Sequence, residues 1–301
     1  MTSLYEAFGV GVDPGRVAPG VDGAEDGPLV SVIMPMFNAA TFVEASIRSI
    51  QAQGYRHWEL LVVDNASTDE SPARVVQMAE ADGRIQLIRR QVNSGGPAAP
   101  RNDGIRGARG RYITFLDADD LWHPDKLQKQ VAHMELHSAT FMCFGKMVVD
   151  SEGVLYAHGR QSELGELVTE GADLFDNLLR YNNFIPLHTV MLRRGESVEG
   201  LLFDEDPRLN AVEDFDLWLQ IAKRGEKIDF LNEFFSIYRL HAGNLSHGML
   251  KGVRIQLRLA HKWRSELTAG SRLRLMRATI ARRIILPLLR RLFSRFLLVV
   301  R

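Results

Sequence analysis

The sequence predicts an α/β fold built on a mainly parallel sheet. Two observations predict it. From residue 29 onward, short apolar runs of strand length alternate with amphipathic segments of helical period, the signature of repeated βαβ units. The apolar runs also end in polar, acid-rich turns, and open α/β sheets bind their ligands at the carboxyl ends of their strands.

Taken in order, residues 29–34 form the first strand. Thr41 and Glu44 then read as a capping-box pair opening a helix through Val43, Ile47 and Ile50, which Gly54 stops. Residues 58–63 give a second strand. Ser67 and Glu70 read as the cap of a helix reaching Asp82; 84–89 is a strand, 97–108 a helix and 111–116 a fourth strand. Beyond Pro124, Leu127, Val131 and Met134 mark a helix. The second half is less regular: an apolar run at 139–149, a helix near 172–180, strands near 187–192 and 234–239, and between them a helix opened by Glu213 and Asp214.

Composition bounds the function. Of 301 residues, 46% are hydrophobic and 25% charged, which suits a globular chain and excludes collagen-like and wholly disordered classes. The single cysteine, Cys143, lies in an apolar run and reads as a buried, inert thiol. Residues 1–28 hold six glycines and three prolines without a basic or apolar signal region, and read as a flexible leader.

The net charge of zero is unevenly shared. Residues 248–301 contain 14 Lys/Arg against Glu266 alone, +13, leaving −13 for the rest. Lys251, Arg254, Arg258 and Lys262 recur at helical spacing. Arg290, Arg291 and Arg295, interleaved with Leu and Phe, suit a helix lying in a membrane interface more than one crossing it, with a kink at Pro287. The expectation is a peripheral protein on the cytoplasmic face of the cell membrane, held to anionic lipid by this tail. The alternative is a helix packed on the body or on a second subunit, and the aliphatic content argues against nucleic acid.

Asp117 and Asp119 share one side of a strand end, with Asp120 beside them. Carboxylates this close repel unless a cation lies between them, and a hard divalent ion shared with a diphosphate meets that need. No Gly-x-Gly-x-x-Gly follows a strand and no P-loop occurs, so neither a dinucleotide nor a triphosphate cradle is indicated.

Six segments, VSVIMPMFN at 30–38, VVDNASTD at 62–69, NSGGPAAPRN at 93–102, FLDADD at 115–120, EDFDLW at 213–218 and YRLH at 238–241, together resemble the family 2 glycosyltransferases of the GT-A fold. The resemblance implies a Rossmann-like nucleotide-sugar-binding sheet with an α+β acceptor half, divided into 29–123 and 124–247, followed by the basic helical tail from 248. It implies that Asp64 hydrogen-bonds the nucleotide base in a pocket shaped by Pro35, Phe37, Asn38 and Gly96, and that Arg101 lies near the diphosphate. It places Asp117 beside ribose and metal, makes Asp119 the principal ligand of Mn²⁺ or Mg²⁺, and adds His241 to the metal. Asp214 becomes the catalytic base, with Glu213 positioning base or acceptor. The activity implied is inverting transfer from a nucleotide-sugar donor, UDP- or dTDP-linked by preference, to a saccharide or lipid-linked acceptor. A non-catalytic nucleotide-sugar-binding protein and a nucleotidyltransferase are the alternatives.

Overall fold

The computed structural model describes residues 27–151, 154–157, 164–168, 173–195, 200–241, 249–270, 272–273 and 277. Its first half follows the expected alternation. Strand β1 (Val30–Met36) lies at the centre, parallel to β2 (Trp58–Asp64) on one side and β4 (Tyr112–Phe115) on the other, and β3 (Ile85–Arg89) extends the sheet beyond β2. The helices between them are α1 (Val43–Gln51), α2 (Ser71–Ala81) and α3 (Ala98–Gly107).

Strand alternation divides the core into two layers. Val30, Val32 and Met34 pack with Val43, Ile47 and Ile50 of α1, whereas Ile33 and Leu61 face the layer that holds Ala98 of α3. Gly104 is what lets α3 approach so closely, because a Cβ there would fall 2.5 Å from Ile33 Cγ2.

The sheet is mixed beyond β4. Strand β5 (Leu121–Trp122), helix α4 (Lys126–Leu136), β6 (Met142–Ser151) and β7 (Val154–Ala157) come next in the chain. They are followed by α5 (Leu164–Leu167), α6 (Leu174–Tyr181), β8 (Met191–Arg193), α7 (Glu213–Lys223), β9 (Ile228–Leu240) and α8 (Met249–Lys262). The strand order is β3-β2-β1-β4-β8-β6-β9-β5, with β7 paired to β6. Strand β8 runs antiparallel to β4, and β5 antiparallel to β9, so the acidic turn after β4 is bracketed by the two halves of the chain.

Three local expectations are corrected. The Thr41–Glu44 capping box does not form: Phe42 precedes α1 without a side-chain cap, the Ala39 carbonyl accepts from the amides of Phe42 and Val43, and Glu44 accepts from Arg74 Nη1 at 2.7 Å. The Ser67–Glu70 cap is likewise absent, because Ser67 Oγ accepts the Asn38 amide at 2.9 Å and α2 starts at Ser71 with Pro72 in its first turn. The expected strand at 187–192 is a short 3₁₀ turn, Leu187–Thr189, followed by the three residues of β8; Thr189 donates from both its amide and its hydroxyl to the Pro186 carbonyl.

Residues 249–267, expected in the tail, are seated on the body. Ile255, Leu259 and Leu267 are buried in the layer that contains Phe215, Trp218 and Ile221. Asp216 of α7, fully withdrawn from solvent, accepts from Lys262 Nζ and Trp263 Nε1, both at 2.8 Å. The membrane reading of Pro287, Arg290, Arg291 and Arg295 lies outside the described residues, as does the leader before residue 27. No described helix is long and apolar enough to cross a membrane.

Candidate active site

The polar ends of β1, β2 and β4 gather with the start of α7 and the end of β9. Pro35 lies within β1, buried opposite Val63. Phe37 is 50% exposed, and Asn38, at φ 48°, turns the chain while its Oδ1 accepts the Thr68 amide at 2.8 Å. The two loops after β1 and β2 are therefore stitched to each other.

Asp64 closes β2 with its side chain buried. Its Oδ1 accepts the Ser67 amide at 3.0 Å; its Oδ2 has no hydrogen-bond donor among the described residues, and Arg89 Nε lies 3.6 Å away. A buried carboxylate oxygen left in this state is costly, so an N–H from a ligand at this strand end would be favoured. Next to it Asn65 donates to Asn93 and to the Gly96 carbonyl and accepts from the Ser94 amide. Gly96 has no room for a side chain, since a Cβ would fall 2.0 Å from Asn210 Oδ1.

Arg101, on α3, is the hinge of the acidic cluster. Its Nη2 donates to Asp117 Oδ1 and its Nη1 to Glu213 Oε1, both at 2.7 Å, and the side chain is 4% exposed. Burial opposes its charge, yet the carboxylates of Asp117 and Glu213 hold the guanidinium above its ordinary pKa. Arg101 thus joins an acid after β4 to an acid at the start of α7, and this pairing is what the structure gives for a residue expected beside the diphosphate.

Asp119 faces His241, with Oδ2 and Nε2 2.8 Å apart, and the Phe42 ring stacks on the imidazole at 4.5 Å. Burial, then Asp120 and Asp117, raise the Asp119 carboxyl to about 6, against the pull of His241. Asp120 is fully buried and also raised, first by burial. Its Oδ1 accepts the Arg239 amide at 2.9 Å and His188 Nδ1 lies 3.2 Å from its Oδ2. The Arg239 guanidinium also holds the Asp119 carbonyl, so the turn is braced from both sides.

These residues fit a divalent cation. Three crowded acids of which two are pushed towards neutrality need positive charge, and Asp119 with His241 offers oxygen and imidazole ligands side by side. Among the described residues no group of three or more His, Cys, Asp or Glu is arranged to hold a metal ion, so any ion here would take most of its shell from water and phosphate, as Mg²⁺ commonly does.

At the start of α7, Glu213 is buried with Oε2 lacking a donor among the described residues. Asp214 accepts from Asn183 Nδ2 at 2.9 Å through Oδ2 and from the Phe215 amide at 2.7 Å through Oδ1. Burial and then Glu213 lift its carboxyl to about 6, opposed by Arg101 and Asn183. A carboxyl so tuned is ionised at neutral pH yet basic enough to take a proton.

The structure thus bonds Arg101 to Asp117 and Glu213, pairs Asp119, two residues further along the same turn, with His241, and sets Asp214 next to Glu213 and Asp64 at the neighbouring strand end. Sequence reasoning missed Asn183 and His188. An isolated amide or imidazole in an irregular segment carries no periodic signal, and only their partners identify them. Cys143 is buried as expected, with its thiol pushed up to about 12 by burial.

Comparison with known proteins places the fold and the family. Residues 31–201 match the family described as Glycosyl transferase family 2. The chain is 33% identical over 233 residues to the Escherichia coli UDP-Glc:alpha-D-GlcNAc-diphosphoundecaprenol beta-1,3-glucosyltransferase WfgD, covering 77% of this chain and 85% of that one. Among solved structures, S. aureus TarS 1-349 in complex with UDP-GlcNAc is similar with a TM-score of 0.63 at 18% identity, covering 84% of this chain and 72% of that one. The mannosyltransferase PcManGT from Pyrobaculum calidifontis, in complex with GDP-Man and Mn²⁺, gives 0.61 at 20%, covering 86% and 70%. By its ordered motifs, its sheet and this match over more than half its length, the chain belongs to glycosyl transferase family 2.

Proposed function

We propose that the protein is a metal-dependent inverting glycosyltransferase. It moves a sugar from a UDP- or dTDP-linked donor to a hydroxyl of a saccharide or lipid-linked acceptor, in the synthesis of cell-surface polysaccharide or lipopolysaccharide. The observation that carries this reading is the Arg101 bridge, which ties Asp117 at the end of a nucleotide-fold strand to Glu213, the immediate neighbour of a carboxylate tuned for proton uptake. The relative whose name specifies UDP-Glc and a diphosphoundecaprenol-linked acceptor supports the donor and acceptor classes.

In this reading Asp64 and the loop through Gly96 hold the base and Phe37 offers a ring beside it. Asp214 accepts the proton of the acceptor hydroxyl as that oxygen bonds to the anomeric carbon. The carbon–oxygen bond to the diphosphate breaks on the opposite face, and the nucleoside diphosphate leaves. One displacement requires one base, so no second carboxyl need serve as acid. A divalent cation held by Asp119 and His241, with Asp117 alongside, would supply charge neutralisation to the diphosphate. Arg101 keeps Asp117 and Glu213 from repelling each other. The basic tail is assigned to anionic lipid on the cytoplasmic face of the membrane, where lipid-linked acceptors would be met.

The test is a donor screen with Mn²⁺ or Mg²⁺, starting with UDP-glucose and an N-acetylglucosaminyl-diphosphoryl lipid, reading nucleotide release and product. Acceptor-dependent release of UDP or dTDP, with inverted product, is expected. Pyrophosphate release from a nucleoside triphosphate and a sugar phosphate would instead identify a nucleotidyltransferase.

A further inference from the structure

Among the described residues, Asp214 is gripped from outside its own helix by one neutral side chain, that of Asn183. Asn183 lies in the segment that follows α6, and Asn182 before it occupies a left-handed conformation at φ 64° while its Oδ1 accepts the Asn183 amide at 2.7 Å. The Asn183 side-chain oxygen Oδ1 accepts the Ile185 amide at 3.3 Å, which turns the NH₂ end of the side chain toward Asp214. The same segment is tied to α7 a second time, one turn further on, by Trp218 Nε1 donating to the Ile185 carbonyl at 3.2 Å. Residues 214 and 218 share a helix face, so the 182–185 segment is fastened along that face at two points.

We propose that Asn183 is the positioning residue for the base, occupying Asp214 Oδ2 so that the carboxylate is held in one rotation and the acceptor's proton is taken at the lone pairs left open. This rests on the reading of Asp214 as base. An amide NH₂ donates whatever the pH, and it pairs best with the ionised carboxylate. Among the described residues the charged groups facing Asp214 are Glu213 on its own helix and Arg101 from α3, and they pull in opposite directions. Asn183 adds to the pull of Arg101. Without it, burial and Glu213 act against a weaker opposition, and the carboxyl requires a higher pH to ionise.

The experiment is the pH dependence of kcat/KM for the donor–acceptor pair selected above, in wild type, Asn183→Leu and Asn183→Asp, beside UDP affinity by calorimetry and thermal melting of each protein. The acidic limb of the wild type is expected near pH 6. It should move up by about one unit in Asn183→Leu and further in Asn183→Asp, where a second carboxylate faces the first. At pH 6, where the wild type is half ionised, this means a loss of about fivefold in Asn183→Leu and more in Asn183→Asp, which raising the pH restores, with UDP affinity unchanged. A defect of folding alone would not recover with pH. Should one variant melt below the assay temperature, the other decides. An unmoved limb in a folded variant overturns the positioning role while leaving the base intact; normal turnover by Asp214→Asn overturns both.

Discussion

Arg101 and Glu213 form a buried ion pair at 2.7 Å across 112 positions of sequence, with both side chains nearly withdrawn from solvent. Removing one partner of such a pair strands the other. Arg101→Gln is therefore expected to destabilise the protein by about 3–5 kcal/mol, since Glu213 would remain buried without a counter-charge. Thermal or denaturant melting checks it. The double variant Arg101→Gln, Glu213→Gln should recover a substantial part, and a single variant as stable as wild type would contradict the pairing.

Asp214→Asn keeps the shape of the side chain and removes its basicity. Turnover should fall by at least ~10²-fold while UDP binding with metal stays within a few-fold of wild type. The wild-type rate should rise with pH through about 6, because burial and Glu213 have lifted the carboxyl to that value and only its ionised form accepts a proton. Initial rates across pH and isothermal titration with UDP read the two effects separately.

Asp119→Ala should lose the metal-dependent part of UDP affinity, by ~10-fold or more, and turnover with it. His241→Ala should weaken both less. Titration of UDP with and without Mn²⁺ measures this directly. Equal affinities in the presence and absence of Mn²⁺ for the wild type would remove the cation from the site.

Lys126 is fully buried, donating to Thr114 Oγ1 at 2.8 Å and Gln130 Oε1 at 2.6 Å, and burial lowers its pKa from 10.5 to about 7. Between those values the unfolded chain binds a proton that the folded one does not, so stability must rise with pH from about 7 to 10.5 and flatten below 7. Lys126→Met should lose that slope, which amounts to a few kcal/mol over the interval. Melting curves of both proteins across the range provide the comparison; parallel pH profiles would show that the ammonium stays charged.

Vesicle sedimentation tests the tail. The full chain should bind anionic vesicles more than neutral ones and release them at high salt, and a chain ending after Leu267 should not. The cut belongs after Leu267 because residues up to that point are packed on the body. Equal binding by both proteins would remove the tail from the membrane.

The strands β1 to β4 were legible to within two residues because each is a mainly apolar run of strand length between turn residues, and the polar rim followed from where those runs stop. The capping pairs were not. Thr41–Glu44 and Ser67–Glu70 have the right spacing, but Arg74 claims Glu44 and the Asn38 amide claims Ser67, and both partners come from elsewhere in the chain. Tertiary competition for a side chain leaves no trace in local spacing. The same reason hides the Arg101 bridge, whose two acids follow it in the chain by 16 and 112 residues. The extent of the tail was misjudged because basic spacing alone does not distinguish a lysine in solvent from Lys262, which is committed to Asp204 and Asp216.

Strand β5, only two residues long, leaves the first half of the chain directly after the acidic turn and pairs with β9 at the far end of the sheet order. A recombination joint near residue 123 would hand β9 a foreign partner and release Arg239 and His241 from the register that aims them at Asp120 and Asp119. The two halves are therefore not separable blocks: exchanging either one breaks the β5–β9 pairing that sets the acidic turn against the end of β9.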